Sequence, residues 1–345
     1  MAGNPRPLVM RCGAFGDMVL LTPLIRTLSE RFDAPVDLIS SGPWTAPLLE
    51  GQPGVGRLYL LKSRRRPYLI SPDQWRLVRN LRQRGAGPTW FLDAAGVGRS
   101  LLARAGIGAE WVVEGDDVPR LPGEHYLERF ARIAAVLPRA LTAPPPAARP
   151  VAGTTLAVSP ASRMEVTAWL AARGLGERPL LLVQAGNKRT MRRGDRRRSS
   201  NTKYWPEERW ARVIDAMAVR YPEHVILLLG VPSEQALNED IRRLAHAPRV
   251  VNVAAELPIP RLVALLERAE AMVTVDTGPA HAAAALGLPL VVLFAAAEPA
   301  LYRPWGAAGA PVTCLRAEPP DSLEALQADA VIVAFEALTL RAGAR

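Results

Sequence analysis

Residues 8–39, LVMRCGAFGDMVLLTPLIRTLSERFDAPVDLI, contain the pattern that decides the fold. The apolar run at 8–12 ends at Gly13 and is typical of a buried strand. A helical pattern follows, with apolar side chains at three- and four-residue spacing: Leu21, Leu24, Ile25 and Leu28. Residues 36–39 predict the next strand. Strand, loop, helix and strand in this order predict the repeating unit of a parallel α/β sheet.

The same alternation continues along the rest of the chain. Helical spacing predicts helices over residues 75–81, 100–104, 125–136, 207–221, 234–244, 261–267, 280–286 and 322–340. Short apolar runs predict strands at 90–92, 180–183, 225–229, 250–253, 271–275 and 290–294. We therefore predict an α/β fold of Rossmann type, with helices on both faces of each sheet. Ligands are then expected beyond the carboxyl ends of the strands.

The length of 345 residues exceeds a comfortable single core, so we expect two domains. Residues 137–151 hold five prolines among alanines and predict a linker rather than a core element. The expected domains are residues 1–155 and 156–345. The helix at the end of the chain can pack back on the first domain.

The formal net charge of +10 is concentrated in two places. Residues 187–203 contain eight Lys or Arg against Asp195 alone, and residues 62–66 contain four. A local basic surface on an otherwise balanced chain predicts an anionic partner, such as a phosphorylated glycolipid or an anionic membrane surface. Nucleic acid is not expected, because no aromatic interleaving or binding motif accompanies the charge. A solvated loop that only aids solubility is the competing interpretation.

The sequence also predicts the compartment. Cys12 and Cys314 are too few for a disulfide framework, which favours a reducing environment. Arg11 and Asp17 interrupt the first apolar stretch, where a secretory signal would exclude charge. The most apolar stretch, residues 282–297, is shorter than the roughly 20 residues that span a bilayer. We expect a soluble cytoplasmic protein without a transmembrane segment.

Asp17 is the first candidate for chemistry, in the loop that joins the first strand to the first helix. Gly13 and Gly16 let the backbone turn sharply and approach a ligand. A carboxylate at this edge of the sheet can accept a proton from an attacking hydroxyl. Taken alone, however, an aspartate here is more typical of a helix cap.

Residues 276–281, DTGPAH, form the second candidate, between a predicted strand and a helix. Backbone amides at a helix start, together with the Thr277 hydroxyl, suit a diphosphate. His281 can donate to a phosphate oxygen, although a packed structural histidine is the safer interpretation. Asp276 would repel phosphate, so it suits sugar hydroxyls or the ordering of the loop.

Lys203 is the third candidate and precedes the helix start Pro206-Glu207-Glu208. Its ammonium can neutralise a phosphate leaving group, though an isolated lysine is usually a solvated surface residue. Several motifs are absent from the sequence: Asp-x-Asp, zinc-spaced Cys/His clusters, the G-x-S-x-G elbow, the P-loop and G-x-G-x-x-G. Their absence disfavours hydrolase, ATPase, metalloenzyme and dinucleotide-dependent classes.

Together these segments resemble glycosyltransferase family 9, the ADP-heptose:lipopolysaccharide heptosyltransferases. Five matches occur in the family's order: 11–23 (RCGAFGDMVLLTP), 91–93 with Arg99-Ser100, 203–206 (KYWP), 230–234 (GVPSE) and 275–284 (VDTGPAHAAA). Each match is modest, but five in sequence are specific.

The resemblance implies a GT-B fold, with two Rossmann-like domains facing each other across a cleft. The acceptor domain would come first and the nucleotide-sugar domain second. Transfer would invert the sugar configuration, without a bound metal or any cofactor, from a nucleotide-sugar that serves as substrate. The product would extend the lipopolysaccharide inner core or a related glycolipid.

The resemblance also implies roles for single residues. Asp17 would be the general base, and Lys203 would stabilise the departing diphosphate. Thr277, Gly278 and His281 would hold the phosphates, and Asp276 the donor sugar. The remaining implied donor contacts are Glu234, on the ribose, and Thr202; the acceptor contacts are Gly16 and Arg99.

One segment departs from the family pattern. Sixteen residues separate Gly186 from Lys203, where the family usually has a shorter loop that contacts phosphate through Ser or Thr. Here the loop is strongly basic, and we expect Arg192 and Arg193 to contact the acceptor. The same loop is expected to lean on the inner face of the cytoplasmic membrane of a Gram-negative bacterium, making the protein peripheral there.

Other interpretations stay open on sequence grounds. A related transferase could use another nucleotide-sugar or a protein acceptor. From different classes, the chain could be a Rossmann-type nucleotide-binding oxidoreductase, or a binding module without transferase activity. The missing G-x-G-x-x-G disfavours the oxidoreductase, and the joint presence of Asp17, Lys203 and His281 disfavours the binding module.

Overall fold

A computed structural model describes residues 6–63, 66–93, 96–142, 145–147, 149–187 and 201–342. The chain divides into two compact units, Met1–Gly153 and Thr154–Arg345. Over the described residues, residues 137–151 contain no helix or strand. This segment is tied to the first unit, because the Ala140 amide donates to the Glu110 carbonyl and the Val151 amide to the Thr27 hydroxyl.

In the described part of the first unit, five parallel strands are ordered β3-β2-β1-β4-β5. They are β1 Leu8–Met10, β2 Val36–Ser40, β3 Val55–Leu60, β4 Thr89–Phe91 and β5 Val112–Glu114. The helices are α1 Phe15–Leu20, α2 Thr22–Phe32, α3 Thr45–Leu49, α4 Pro72–Arg84, α5 Gly96–Arg104 and α6 Tyr126–Ala135. Because side chains alternate along a strand, Leu8 and Met10 pack with α4 and α5 on one face of the sheet. On the other face the Trp90 ring packs on Phe32 of α2, and its Nε1 donates to the Ile133 carbonyl of α6.

In the described part of the second unit, six parallel strands are ordered β11-β10-β9-β6-β7-β8, which is the Rossmann order. They are β6 Leu180–Gln184, β7 Val225–Leu228, β8 Val250–Asn252, β9 Ala271–Val275, β10 Leu290–Phe294 and β11 Val312–Arg316. The helices are α7 Pro160–Ala171, α8 Glu207–Arg220, α9 Gln235–Leu244, α10 Ile259–Arg268, α11 Gly278–Ala285, α12 Pro299–Tyr302 and α13 Ala328–Glu336. Helices α8, α9 and α13 cover one face of this sheet and share its core.

The structure corrects several predicted boundaries. Strand β1 ends at Met10 rather than Cys12, because the chain turns away to form the loop before α1. Helix α5 begins at Gly96 rather than Ser100. The single helix predicted over 322–340 is instead a 3-10 turn, Leu323–Ala325, followed by α13. Strands β3, β5 and β11 and helices α1, α3, α7 and α12 were not predicted from the sequence. Because α1 begins at Phe15, Asp17 lies in a helix rather than in the predicted loop.

Candidate active site

The Asp17 carboxylate lies at the carboxyl end of β1, in the first turn of α1. Its Oδ2 accepts the Ala14 amide at 2.7 Å, which satisfies a backbone donor at the helix start. Its Oδ1 accepts Nη2 of Arg11 at 3.2 Å. The side chain is still 33% exposed, and a carboxylate has lone pairs beyond those two bonds. Asp17 is therefore both a helix-start acceptor and a carboxylate that an incoming hydroxyl can reach.

Arg11 links this carboxylate to the strand end and to a distant helix. Its Nη1 donates to the Leu92 carbonyl at 2.8 Å, and its Nη2 reaches the Tyr126 hydroxyl at 3.2 Å. Burial opposes the charge of Arg11, but Tyr126 and Asp17 more than offset it, so the pKa of Arg11 is raised above its ordinary value. The guanidinium thus stays charged where it fixes one oxygen of Asp17.

Gly13 is required by the close approach of Asp17. A Cβ at position 13 would lie 2.4 Å from the Asp17 Cβ and 2.8 Å from its Oδ2, well inside contact distance. The loop is held from both sides, because the Trp44 indole donates to the Gly13 carbonyl at 3.1 Å and the Cys12 amide donates to Asp93 Oδ1 at 3.0 Å. The glycine therefore makes room for the carboxylate rather than only for a sharp turn.

The predicted acceptor contacts lie in different elements of the chain. Gly16 lies within α1, one residue before Asp17, and is half-buried. Arg99 lies on α5 over the Phe91 ring and pairs with Glu114, with a closest Nη2–Oε2 distance of 3.0 Å. Its side chain is 53% exposed, so an anionic ligand would compete with Glu114 for it. Arg192 and Arg193 lie outside the described residues.

In the second unit, Lys203 and Asp276 come together from 73 positions apart. The Lys203 Nζ donates to the Asp276 backbone carbonyl at 2.7 Å and to its Oδ2 at 2.5 Å. The turn that carries Lys203 is anchored by Trp205, which is buried and donates from Nε1 to the Leu326 carbonyl at 2.9 Å. The ammonium is thus held where β9 ends and α11 begins.

The first turn of α11 carries the predicted phosphate contacts. Thr277 is the N-cap residue, and no described side-chain bond from its hydroxyl caps the helix; the hydroxyl lies 3.4 Å from that of Thr274. Gly278 and Pro279 open the helix, and Pro279 takes a position where its missing N–H costs nothing. His281 follows as a buried side chain. The helix start and Lys203 together present positive partial and full charge at one strand end.

Glu234 lies at the carboxyl ends of the neighbouring strands β6 and β7. It is almost fully buried, and its Oε2 accepts the Val231 amide at 2.9 Å and the Gln184 side chain at 3.3 Å. Burial raises the pKa of Glu234 although both bonds lower it. A Cβ at Gly186 would lie 2.7 Å from the Glu234 Cδ, and one at Gly230 would lie 3.0 Å from its Oε2. Two glycines therefore form the cradle for this carboxylate.

Thr202 is exposed, and its backbone carbonyl accepts the Leu323 amide at 3.0 Å. The structure thus brings Lys203, Asp276, Thr277 and Gly278 to one strand end, with Glu234 two strands away in the same sheet. The roles of Arg11, Gln184 and Gly186 were missed in the sequence. The one available signal was the position of Arg11 directly after the first strand.

The described residues contain no group of three or more His, Cys, Asp or Glu side chains that could hold a metal ion. In the same part of the chain, no helix combines the length and apolar character needed to cross a membrane.

Comparison with known proteins shows which family the chain resembles. The family model for glycosyltransferase family 9 (heptosyltransferase) matches residues 194–324. Lipopolysaccharide heptosyltransferase 3 of Escherichia coli is 25% identical over an alignment of 311 residues that covers 84% of this chain and 83% of that protein.

Two solved structures share the fold. ADP-heptose lps heptosyltransferase II of E. coli aligns with a TM-score of 0.72 at 22% identity, over 96% of this chain and 98% of the other. E. coli heptosyltransferase WaaC with ADP aligns with a TM-score of 0.69 at 19% identity, over 96% and 99% of the two chains. The predicted GT-B class, built from two Rossmann-like domains, is confirmed. The chain is a glycosyltransferase that resembles family 9, the heptosyltransferase family.

Proposed function

We propose that this enzyme transfers heptose from ADP-heptose to the lipopolysaccharide inner core, or to a related glycolipid, with inversion and without a bound metal. The match to the family model and the names of the similar heptosyltransferases support the sugar and the lipopolysaccharide acceptor. The observation that carries the proposal is the Lys203 ammonium at the start of α11, a cationic position that suits a diphosphate leaving group.

The chemistry begins with Asp17. Its carboxylate takes the proton of the acceptor hydroxyl as that oxygen attacks the anomeric carbon of the donor. A new carbon–oxygen bond forms on the face opposite the diphosphate, and the bond from the anomeric carbon to the diphosphate oxygen breaks. ADP leaves with the bonding electron pair, and the sugar configuration is inverted.

The leaving group is stabilised in the second unit. Charge grows on the diphosphate as the bond breaks, so a cation already in place lowers the barrier without reorganisation. Lys203 supplies that charge, and Thr277, Gly278 and His281 hold the phosphates at the helix start. Asp276, whose carboxylate now accepts Lys203, turns to the hydroxyls of the donor sugar when Lys203 engages the diphosphate.

The nucleoside is held beside the same sheet. Glu234, in its cradle of Gly186 and Gly230, accepts the ribose hydroxyls. Thr202, exposed beside Lys203, adds a donor contact. Since the Val231 amide and Gln184 bond one oxygen of Glu234, its other oxygen can serve the ribose.

The acceptor is bound by the first unit and by the basic loop. Gly16 allows close approach beside Asp17, and Arg99 meets anionic groups of the acceptor in exchange for Glu114. Arg192 and Arg193 would contact acceptor phosphates, with the loop against the inner face of the cytoplasmic membrane of a Gram-negative bacterium. Deleting residues 192–198 should weaken acceptor or liposome binding; unchanged values for both would refute this role.

The test is ADP release from ADP-heptose, with and without a heptose-free inner-core acceptor. UDP-glucose and GDP-mannose are run in parallel as alternative donors. Acceptor-dependent release from ADP-heptose alone supports the proposal. Release from another nucleotide-sugar, or with a protein acceptor only, would keep the mechanism and overturn the substrate. No release with any donor would overturn the proposed reaction.

A further inference from the structure

The first unit exposes three large apolar side chains within seven residues. Leu69 is 81% exposed, Ile70 65% and Trp75 46%. Leu69 and Ile70 lie in a 3-10 turn, Tyr68–Ile70, directly before α4, and Trp75 lies in the first turns of that helix. We call these three side chains the apolar tip. Single exposed apolar residues are ordinary, but a local group indicates a surface that another body covers.

The apolar tip is held in place by buried and bonded neighbours. The Trp75 Nε1 donates to the Tyr68 carbonyl at 2.7 Å. Gln74, which is 1% exposed, donates from Nε2 to the carbonyls of Ser63 and Arg66, both at 2.9 Å. The turn is therefore fixed with its apolar side chains outward, so covering them costs little ordering entropy.

The surface around the tip is basic. On α4, positions 75, 79 and 82 follow the spacing of one helix face, and position 76 lies beside it. Arginines occupy three of these exposed positions: Arg76, Arg79 and Arg82. Neither Arg76 nor Arg79 forms an ion pair with a carboxylate among the residues that the structure describes.

The next helix and the preceding loop add to the same charge. Arg104 of α5 stacks over the Tyr68 ring, with its guanidinium carbon 4.3 Å from the ring centroid. Lys62 and Arg66 are exposed before the turn. The sole acid in the sequence from 61 to 84 is Asp73, and its Oδ2 accepts the backbone amides of Lys62 and Ser63.

We propose that the apolar tip and the arginines of α4 dock on a lipid bilayer that carries anionic headgroups. Leu69, Ile70 and Trp75 enter the boundary between headgroups and acyl chains, and the arginines contact headgroup phosphates. Charge complementarity favours this occupant, because two copies of the same basic face would repel each other. An apolar tip also gains nothing from a nucleic-acid backbone. No residue of this surface takes part in the proposed reaction, and none belongs to the basic segment at 187–203.

The test measures binding of the full chain to vesicles without any acceptor glycolipid. Vesicles of phosphatidylcholine with phosphatidylglycerol are compared with phosphatidylcholine alone, by co-sedimentation at low and high salt. The tip variant is Leu69→Ser with Ile70→Ser, and the charge variant is Arg76→Gln with Arg79→Gln. Matched controls on the second unit are Met164→Ser with Val219→Ser, which are 74% and 83% exposed, and Arg212→Gln with Arg243→Gln. Circular dichroism verifies that each variant is folded.

We expect salt-sensitive binding to the anionic vesicles that falls about tenfold or more in the tip variant and severalfold in the charge variant. The control pairs should bind like wild type. Equal loss in the control pairs, unchanged binding of the tip variant, or no binding of wild type would each overturn the proposal. Self-association without vesicles that the tip variant abolishes would instead identify a second copy as the occupant. Because no donor or acceptor is present, none of these results bears on the transfer reaction.

Discussion

The Asp17 carboxylate is oriented by two donors of different kinds, a backbone amide in its own turn and the guanidinium of Arg11. Arg11 also bonds the Leu92 carbonyl and the Tyr126 hydroxyl, so one side chain connects three segments of the first unit. A general base works only when it is held within hydrogen-bond reach of the proton that it removes. Arg11 is therefore a positioning residue for the proposed reaction.

Arg11→Lys should lower kcat about tenfold or more, with little change in the donor KM. A lysine ammonium cannot span the Leu92 carbonyl, Tyr126 and Asp17 together, because it lacks the planar fork of donors. We also expect about 1–3 kcal/mol of destabilisation from the lost buried bonds. Steady-state kinetics and urea unfolding measure both effects. Arg6→Lys, where a half-exposed arginine pairs with the buried Asp37, is the control. Equal kinetic losses in both variants would contradict the positioning role.

Glu234 should make ADP binding weaken as the pH falls. Burial raises the pKa of this carboxyl, so the folded protein takes up its proton at a higher pH than the unfolded chain does. Between the two pKa values, the contribution of Glu234 to the free energy of unfolding falls as pH rises. Binding of the ribose hydroxyls needs the ionised carboxylate, so ADP affinity falls as the pH falls. Calorimetric titration of ADP from neutral to mildly acidic pH should show the weakening.

Glu234→Gln should flatten that pH dependence and weaken ADP binding about tenfold or more at neutral pH, because a charged acceptor is lost. Glu223→Gln, at an exposed position of the same unit, should leave both unchanged. The assignment of Glu234 to the ribose fails if the Gln variant keeps the affinity and pH profile of wild type.

At the scale of elements, Asp17, Glu234 and Asp276 each lie where a strand passes into a loop or a helix start. Glycines at these points admit neighbouring carboxylates: Gly13 for Asp17, and Gly186 with Gly230 for Glu234. The sites are therefore built by close approach of backbone to carboxylate. Adding one methyl group, by replacing such a glycine with alanine, tests whether the close approach is needed.

Gly13→Ala should abolish most activity, by about a hundredfold, because its Cβ would overlap Asp17 at 2.4 Å and push the carboxylate aside. We expect a stability loss of about 1–3 kcal/mol as well. Gly96→Ala is the matched control, since a Cβ there meets nothing within 4 Å. Acceptor-dependent ADP release and urea unfolding compare the two. Wild-type activity in Gly13→Ala would show that Asp17 need not occupy its observed position.

Elements with a strong local pattern could be predicted from the sequence, and those without one could not. The central strands β9 and β10 were predicted with their observed bounds, because both are continuous buried runs. The missed strands β3, β5 and β11 are sheet edges with mixed exposure. Helix α7 was missed because just three of its residues are buried, Val166, Trp169 and Leu170.

The site shows the same division. The motif segments that hold Asp17, Lys203 and Asp276 could be recognised from the sequence. The long-range contacts around them could not be predicted, because Arg11 reaches Leu92 across 81 positions and Tyr126 across 115. The Lys203–Asp276 pair likewise spans 73 positions and depends on how the second sheet is ordered. Such contacts leave no periodic signal in the sequence.

At the scale of the whole molecule, the proposed roles are divided between the two units. The general base belongs to the first unit, and the diphosphate and ribose contacts belong to the second. In this proposal Lys203 and the start of α11 stabilise the negative charge of the diphosphate. Acceptor-dependent ADP release should therefore be unchanged by excess EDTA.

Lys203→Met should lower kcat about a hundredfold or more, because the cation that stabilises the leaving group is removed. Lys62→Met, exposed on the first unit, is the control and should keep wild-type kcat. In the EDTA experiment, loss of wild-type activity that Mg²⁺ restores would contradict the metal-independent mechanism.

The most direct test of the central claim is acceptor-dependent ADP release by Asp17→Asn at saturating ADP-heptose and acceptor. Asparagine keeps the size of the side chain and an oxygen for the Ala14 amide, but it cannot take the hydroxyl proton. We predict that kcat falls by about a hundredfold to ten-thousandfold while ADP still binds and the protein stays folded. The exposed Asp116→Asn should behave like wild type. Turnover by Asp17→Asn close to the wild-type rate would contradict the account.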